Sequence, residues 1–304
     1  VISLLLAASC FFVPFCVLFF TKAVEFRRKS RSAFGPGNSG TKMIESQPDS
    51  LEKAAPWLRE ASRVLIFTGA GISAESGIPT FRDPGGFWER FPVEQFGTWT
   101  GLVELASKNP GQLAEYLIMR LKPVAQAVPN PAHRAVKALE NFCHVVVVTQ
   151  NIDGLHSDAG SSRVLEIHGC LLRVVWAGDR QPVRTIPRSE LAELVEQLEG
   201  ATRSSRLSTG RLLAILRPIF GVGSRGIYRP DVVLFGDVMA EPEWTTALRT
   251  ARECDLVLSV GTSGQVYPAA LIPWEAKDHG APWVHIDPAE RAGDIWLQGP
   301  AGTL

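Results

Sequence analysis

No two cysteines in this chain stand in a C-x-x-C pair. There are five, Cys10, Cys16, Cys143, Cys170 and Cys254, too scattered for a disulfide framework or a zinc-ribbon spacing. Net charge is missing too: 31 Lys and Arg balance 31 Asp and Glu, which argues against bulk electrostatic attachment to nucleic acid. Charged residues make up 20% and hydrophobic ones 45% of the 304 residues. Global disorder is therefore excluded, and the length suits one large domain or two modest ones.

What is present begins with an uncharged run, VISLLLAASCFFVPFCVLFFT, over residues 1–21. At ~1.5 Å per residue it can cross a hydrocarbon core of roughly 30 Å, and Pro14 would kink such a helix without forbidding it. Lys22, Arg27, Arg28, Lys29 and Arg31 follow. That order holds the rest of the chain on the cytoplasmic face and fits a cleaved secretory signal less well. The run reads as a membrane anchor, a targeting segment or an artefact of how the gene was read. If it is removed or spurious, a cytoplasmic or mitochondrial protein is expected. Residues 22–50, basic and then rich in Ser, Gly and Pro, read as a linker.

The globular pattern starts at 51. Residues 51–62 predict a helix with Leu51, Ala54, Ala55 and Leu58 on one side. The buried-strand run Val64–Phe67 leads directly into Thr68-Gly69-Ala70-Gly71-Ile72-Ser73-Ala74. Gly69, Gly71 and Ala74 match the dinucleotide fingerprint G-x-G-x-x-G/A, whose glycines let the backbone approach a pyrophosphate ahead of a helix N-terminus. An ordinary dehydrogenase fits poorly: where its second strand and acid belong, Pro79–Trp88 reads as a loop, expected to act as a lid. Further apolar runs, Val145–Val148, Val164–Ile167, Asp255–Val260 and Trp283–Ile286, each end in polar or Gly residues, where ligands bind in open α/β sheets. The fold class is therefore α/β, a Rossmann-like parallel sheet with helices on both faces.

With Gly69-Ala70-Gly71-Ile72-Ser73, Gly77-Ile78-Pro79-Thr80-Phe81-Arg82, Thr149-Gln150-Asn151-Ile152-Asp153, His168-Gly169, Phe235-Gly236, Gly261-Thr262-Ser263 and Gly299-Pro300-Ala301-Gly302 in order, the sequence resembles the sirtuins, NAD-dependent protein lysine deacylases. The likeness covers about residues 56–176 and 228–303 and is nearest to the bacterial and mitochondrial class that includes desuccinylases. It implies transfer of an acyl group to ADP-ribose with release of nicotinamide, an acyl-lysine protein or peptide as partner, and no nucleic acid. It implies further that Gly69, Ala70, Gly71 and Ser73 line the NAD phosphates and that Phe81 and Arg82 belong to a mobile cofactor loop. Gln150, Asn151 and Asp153 would surround the nicotinamide ribose and amide, with Asn151 and Asp153 sharing in catalysis. His168 would be the general base, a task suited to a group of pKa near 6.5. Gly261, Thr262, Ser263 and Asp287 would hold the adenosine half, and Val233, Leu234 and Phe235 would offer a strand edge and apolar wall to the peptide. Tyr116 and Arg120, at i and i+4, stand one residue further apart than the family's acyl-carboxylate pair but share a helix face. His133, His144, His156, His279 and His285 read as structural.

The likeness breaks between Trp176 and Tyr228, where the family carries a zinc module with two C-x-x-C pairs. Cys170 precedes that region and no cysteine lies in it, so four thiolates cannot be assembled. The domain is thus expected as an NAD core, 51–176 and 228–304, with an atypical, degenerate small lobe at 177–227. In that lobe Ser189–Leu198 predicts an amphipathic helix. The basic stretch Arg203–Arg217 reads as a flexible insert or misread sequence in preference to a partner-binding patch. Two further functions stay open at this level, a non-catalytic module binding NAD or ADP-ribose and an NAD-dependent protein ADP-ribosyltransferase.

Overall fold

The computed structural model describes residues 47–80, 91–204, 207–289 and 292–303. Helix α1 (Gln47–Glu60) leads to β1 (Arg63–Thr68), which runs into a seven-residue 3-10 helix, Ala70–Ser76. Helices α2 (Val93–Phe96), α3 (Trp99–Lys108), α4 (Pro110–Gln126) and α5 (Pro131–Leu139) follow. Next come β2 (His144–Thr149), a short α6 (Leu155–Asp158) and β3 (Val164–Glu166). The small lobe comprises β4 (Gly169–Trp176), β5 (Pro182–Thr185), α7 (Arg188–Ser204), α8 (Thr209–Leu216), β6 (Gly221–Gly223) and β7 (Gly226–Val232). The chain then adds α9 (Glu243–Glu253), β8 (Leu256–Val260), α10 (Leu271–Asp278), β9 (Trp283–Asp287) and β10 (Ile295–Gln298).

The main sheet has the order β3-β2-β1-β8-β9-β10, with every pairing parallel. Because side chains alternate along a strand, the apolar run of β1 serves two cores. Leu65 and Phe67 pack with Ala247 and Ala251 of α9 and Ile272 of α10. Val64 and Ile66 pack with Ala54 of α1 and Ala132 and Val136 of α5. Helices therefore cover both faces, as an all-parallel sheet requires. Strand order reverses between β1 and β8, and this is the switch point at which such sheets open a crevice beyond their strand ends.

The expected helix at 51–62 begins four residues earlier, and its buried face is rotated. Ser50 and Ala54 are buried and Trp57 and Ala61 pack against the core, while Leu51 and Leu58 remain 42% and 37% exposed. Trp57 offers more apolar surface than either leucine, so it decides the face. The helix expected after Gly71 is a 3-10 helix, so the argument from an α-helix dipole at that point does not hold. Strand β10 gave no sequence signal.

The second sheet, β5-β4-β7-β6, is antiparallel. For residues 207–217 the reading of this stretch as flexible is overturned by packing. Ser208 caps α8, accepting from the Arg211 amide at 3.3 Å, and Leu207, Leu212 and Leu216 are buried in one core with Leu191, Leu194 and Leu198 of α7. That core continues onto α4 through Leu113, Leu121 and Val124. The arginines of the stretch mask an apolar helical phase that runs beneath them. Residues 1–46, the leader and nearly all of the linker, lie outside the described residues, as do 81–90 with Phe81 and Arg82. Among the described residues no helix is long and apolar enough to cross a membrane.

Candidate functional site

The crevice between β1 and β8 is lined by two crossing turns. The Gly69 amide donates to Val260 O at 3.1 Å and the Gly71 amide to Gly261 O at 2.8 Å. A Cβ on Gly71 would come within 2.6 Å of Gly261 Cα, and one on Gly261, whose φ is +60°, within 2.2 Å of the Ile72 nitrogen. These glycines are needed because two backbones touch. The fingerprint reading had assigned that need to a ligand.

Around the crossing, buried polar groups are tied to one another. Ser73 Oγ donates to Asp153 Oδ2 at 2.7 Å. Asn151 Nδ2 donates to both Gly69 O and Ser73 Oγ at 3.0 Å. The Leu155 amide donates to Asp153 Oδ1 at 3.0 Å. Burial pushes the Asp153 carboxyl above its ordinary range, against the opposing pull of Leu155 and Ser73. Gln150 bridges the two turns, its Nε2 donating to Thr262 Oγ1 at 3.0 Å. Asp287, at the end of β9, accepts from the Ala289 amide at 2.9 Å. Gly69, Ala70, Gly71, Ser73, Gln150, Asn151, Asp153, Gly261, Thr262, Ser263 and Asp287 therefore all stand at or just past the C-terminal ends of β1, β2, β8 and β9. Amides and carboxylates in a crevice can hold sugar hydroxyls and a carboxamide, and the residues present fit NAD on that chemistry.

His168 lies between β3 and β4, and its Nδ1 is 3.0 Å from Gln150 O. A carbonyl only accepts, so Nδ1 carries the proton and Nε2 keeps its lone pair. Burial pulls the imidazole below its ordinary value, and the Gln150 bond opposes that shift. Val233, whose amide donates to His168 O at 2.9 Å, fixes the wall beside it. The expected strand edge at 233–235 is not there, because β7 stops at Val232. The Phe235 amide donates to Gly97 O at 2.9 Å and the Leu234 amide to Asp237 Oδ2 at 3.1 Å. Phe235 is exposed, and the amide donors of 233–235 are engaged within the chain.

Tyr116 and Arg120 are brought together on α4, close enough for each to influence the other's ionisation, while burial raises the Tyr116 phenol and lowers the Arg120 guanidinium. The Tyr116 ring is wedged against Phe91 and Phe96, with centroids at 5.5 and 5.0 Å. Sequence reasoning overlooked Arg188, at the start of α7. Its guanidinium donates to Asp153 O at 2.7 Å, to Asp158 Oδ2 at 2.6 Å and to Val124 O, joining α4 to the crevice. It also passed over Arg173, Glu166 and Asp231, an ion cluster below His168. The one available signal was the placing of Glu166 and Asp231 two residues before His168 and Val233.

Zinc does not fit the described residues. Cys170 is buried, and burial, followed by the Glu166 charge, pushes its thiol up to about 12; a single thiol cannot by itself make the four-ligand site of a structural zinc. Cys143 and Cys254 are free and lie at the ends of other elements. Among the described residues no group of three His, Cys, Asp or Glu is placed to hold a metal ion.

The model of the Sir2 family matches residues 69–268. An NAD-dependent protein deacylase of Desulfosudis oleivorans is 40% identical over 259 residues, covering 84% of this chain and 92% of the relative. One of Pyrococcus furiosus is 39% identical over 259 residues, covering 84% and 94%. Among solved structures, a Sir2 homologue in complex with NAD superposes with a TM-score of 0.65 at 28% identity, covering 88% of this chain and 93% of that one. A Sir2 variant with a deacetylated p53 peptide and an acetyl ADP-ribose gives 0.64 at 25% identity, covering 83% and 94%.

Proposed function

The chain belongs to the Sir2 family and is an NAD-dependent protein deacylase, and we propose that His168 is its general base and that Tyr116 with Arg120 selects an acidic acyl group on lysine. The observation that carries this is the bond from His168 Nδ1 to Gln150 O at 3.0 Å. It leaves Nε2 as acceptor in a half-buried site, while the neighbouring Gln150 side chain joins the crevice. Gly69, Ala70, Gly71, Ser73, Gln150, Asn151, Asp153, Gly261, Thr262, Ser263 and Asp287 would hold NAD. When bound, NAD supplies a ribose to receive the acyl group and nicotinamide to leave.

The chain's own residues then have four tasks. Asn151 and Asp153, locked to Ser73, orient hydroxyl and carboxamide groups so that reacting atoms meet at attack distance. His168 Nε2 takes the proton of a ribose hydroxyl, which it can do only while neutral. Val233, Leu234 and Phe235 shield the acyl-lysine from water. On α4, Arg120 would meet an acyl carboxylate by charge and Tyr116 by hydrogen bond.

The test is a panel of acyl-lysine peptides with NAD. Nicotinamide release should require the peptide and fall roughly 10²–10⁴-fold in His168→Tyr. NAD binding without turnover on any peptide would reject the catalytic reading, and transfer of label from NAD to protein would replace it with ADP-ribosylation. Arg120→Met should lower the succinyl-over-acetyl rate ratio about 10–100-fold, the worth of one charge-assisted hydrogen bond. An unchanged ratio removes Arg120 from acyl selection.

A further inference from the structure

We propose that an aromatic and ion-pair clasp stands where the family carries zinc, making the small lobe metal-independent. The same clasp sets the β4/β7 register that delivers His168 and the peptide wall. The proposal rests on the deacylase reading only for its activity readout.

Strands β4 and β7 pair from Gly169 opposite Val232 to Trp176 opposite Tyr228. At the first end lie His168 and Val233, bonded through their backbones. At the far end lie the turns that, by family pattern, would carry thiolates. Here Trp176 meets Tyr228 edge-on, with centroids at 6.0 Å and planes at 88°. Two glycines of β6 make room for these rings. A Cβ on Gly223 would come within 2.7 Å of the Trp176 ring, and one on Gly221 within 2.5 Å of the Tyr228 oxygen. Tyr228 Oη donates to Arg217 O at 2.8 Å, fastening β7 to the end of α8. Asp179 and Arg225 close the two turns on each other at 2.7 Å.

The middle of the ladder needs its own fastening. Its register shifts between Cys170 and Val174, and Pro230 on the partner strand has no N–H to give. Arg173 lies within that irregular stretch. Its Nε donates to Asp231 Oδ2 at 2.7 Å and it pairs with Glu166 at 3.0 Å, while Arg180 reaches Asp231 Oδ1 at 2.5 Å. Asp231 is only 3% exposed, so its two arginines compensate a charge that would otherwise be costly to bury. Glu166 precedes His168 by two residues and Asp231 precedes Val233 by two. One cluster therefore fixes both the base and the wall, and Arg173 and Asp231 are positioning residues.

The experiment uses the full chain. Metal analysis of the purified protein should find less than about 0.1 zinc per chain, and 1,10-phenanthroline should shift the melting midpoint by less than about 1 °C, since a structural zinc contributes folding energy outright. Trp176→Ala should lower the midpoint by roughly 5–10 °C and raise KM for the acyl-peptide several-fold more than KM for NAD. Trp176→Phe, which keeps a ring against Tyr228, should recover most of both. Stoichiometric zinc, a chelator-induced loss of the midpoint, or a Trp176→Ala chain that melts and binds peptide like the parent would each overturn the proposal. Metal content and melting stay readable even if no acyl-peptide is turned over, and the chelator and Trp176→Phe arms do not depend on Trp176→Ala folding.

Discussion

At the crevice Gly71 and Gly261 leave no space for a Cβ, and the side chains around them are hydroxyls, amides and a carboxyl bonded in a closed net. In the small lobe Leu198, Leu212 and Leu191 fill space with aliphatic side chains, and arginine–carboxylate pairs such as Arg180 with Asp231 and Arg225 with Asp179 tie its strands and turns. The first region is specified by where backbones must touch and where charge must be held. The second is specified by volume and apolar area, which many sequences can supply. That difference explains how a lobe without zinc ligands can still present a crevice built to family pattern.

The largest effect that separates the two regions is expected from Leu198→Ala. This side chain is fully buried against α4 and α8, so truncation should cost about 2–5 kcal/mol of unfolding free energy in urea. KM for NAD should stay within about two-fold, because nothing in the crevice net passes through it. If KM for NAD rises in step with the lost stability, the two regions are one unit and the comparison fails.

Acid should act on the crevice half and spare the lobe. His133 and His156 are buried with their rings 4.8 Å apart, bonded to Asn130 Oδ1 and Thr68 Oγ1. Burial, with Arg134 adding to it, pulls His133 down to about 4; burial, with His133 adding to it, pulls His156 down to about 3. The unfolded chain protonates both near pH 6.5 while the folded chain resists, so their stability contribution is complete above about 6.5 and is lost as pH falls. The slope should approach about 2.7 kcal/mol per pH unit between roughly pH 6 and 5, two protons' worth. No histidine lies in 177–227. His156→Gln should take about 1.4 kcal/mol per pH unit, one proton's worth, off the slope in urea titrations at fixed pH values; a flat profile in the parent chain would show that the pair does not titrate as argued.

How much of this was legible differs between the halves for the same physical reason. Apolar runs such as Val145–Val148 announce parallel strands because both faces are buried, and the fingerprint glycines announce the crossing. The polar ends of those strands located the crevice. In the small lobe the helix over Ser189–Leu198 was legible, but the stretch after it was misread because Arg203, Arg211 and Arg217 hide the phase of Leu207, Leu212 and Leu216, and because a missing metal suggested a missing core. The Trp57 face of α1 was lost to a leucine spacing that looked equally regular. Arg188 carried no sequence signal and the Arg173 cluster only the placing of Glu166 and Asp231, since their partners are 7 to 64 residues away in sequence.

The smallest effect tests whether the crevice net is as tightly coupled as its distances suggest. Thr262→Val keeps the shape of the side chain but removes the oxygen that accepts from Gln150 Nε2 at 3.0 Å. The same oxygen also accepts from the Gly264 amide at 3.4 Å, a long bond that contributes little; losing the Gln150 bond is worth about 1 kcal/mol, so KM for NAD should rise roughly five-fold. Gln150 also holds His168 through its carbonyl, and a loosened Gln150 would be expected to misalign the base. Its backbone, however, is pinned separately, the Gln150 amide donating to Thr68 O at 3.0 Å. The carbonyl should therefore stay in place, and kcat on the acyl-peptide should change by less than about two-fold. A matching fall in kcat would mean that the side-chain bond, and not the strand end, sets the orientation of His168.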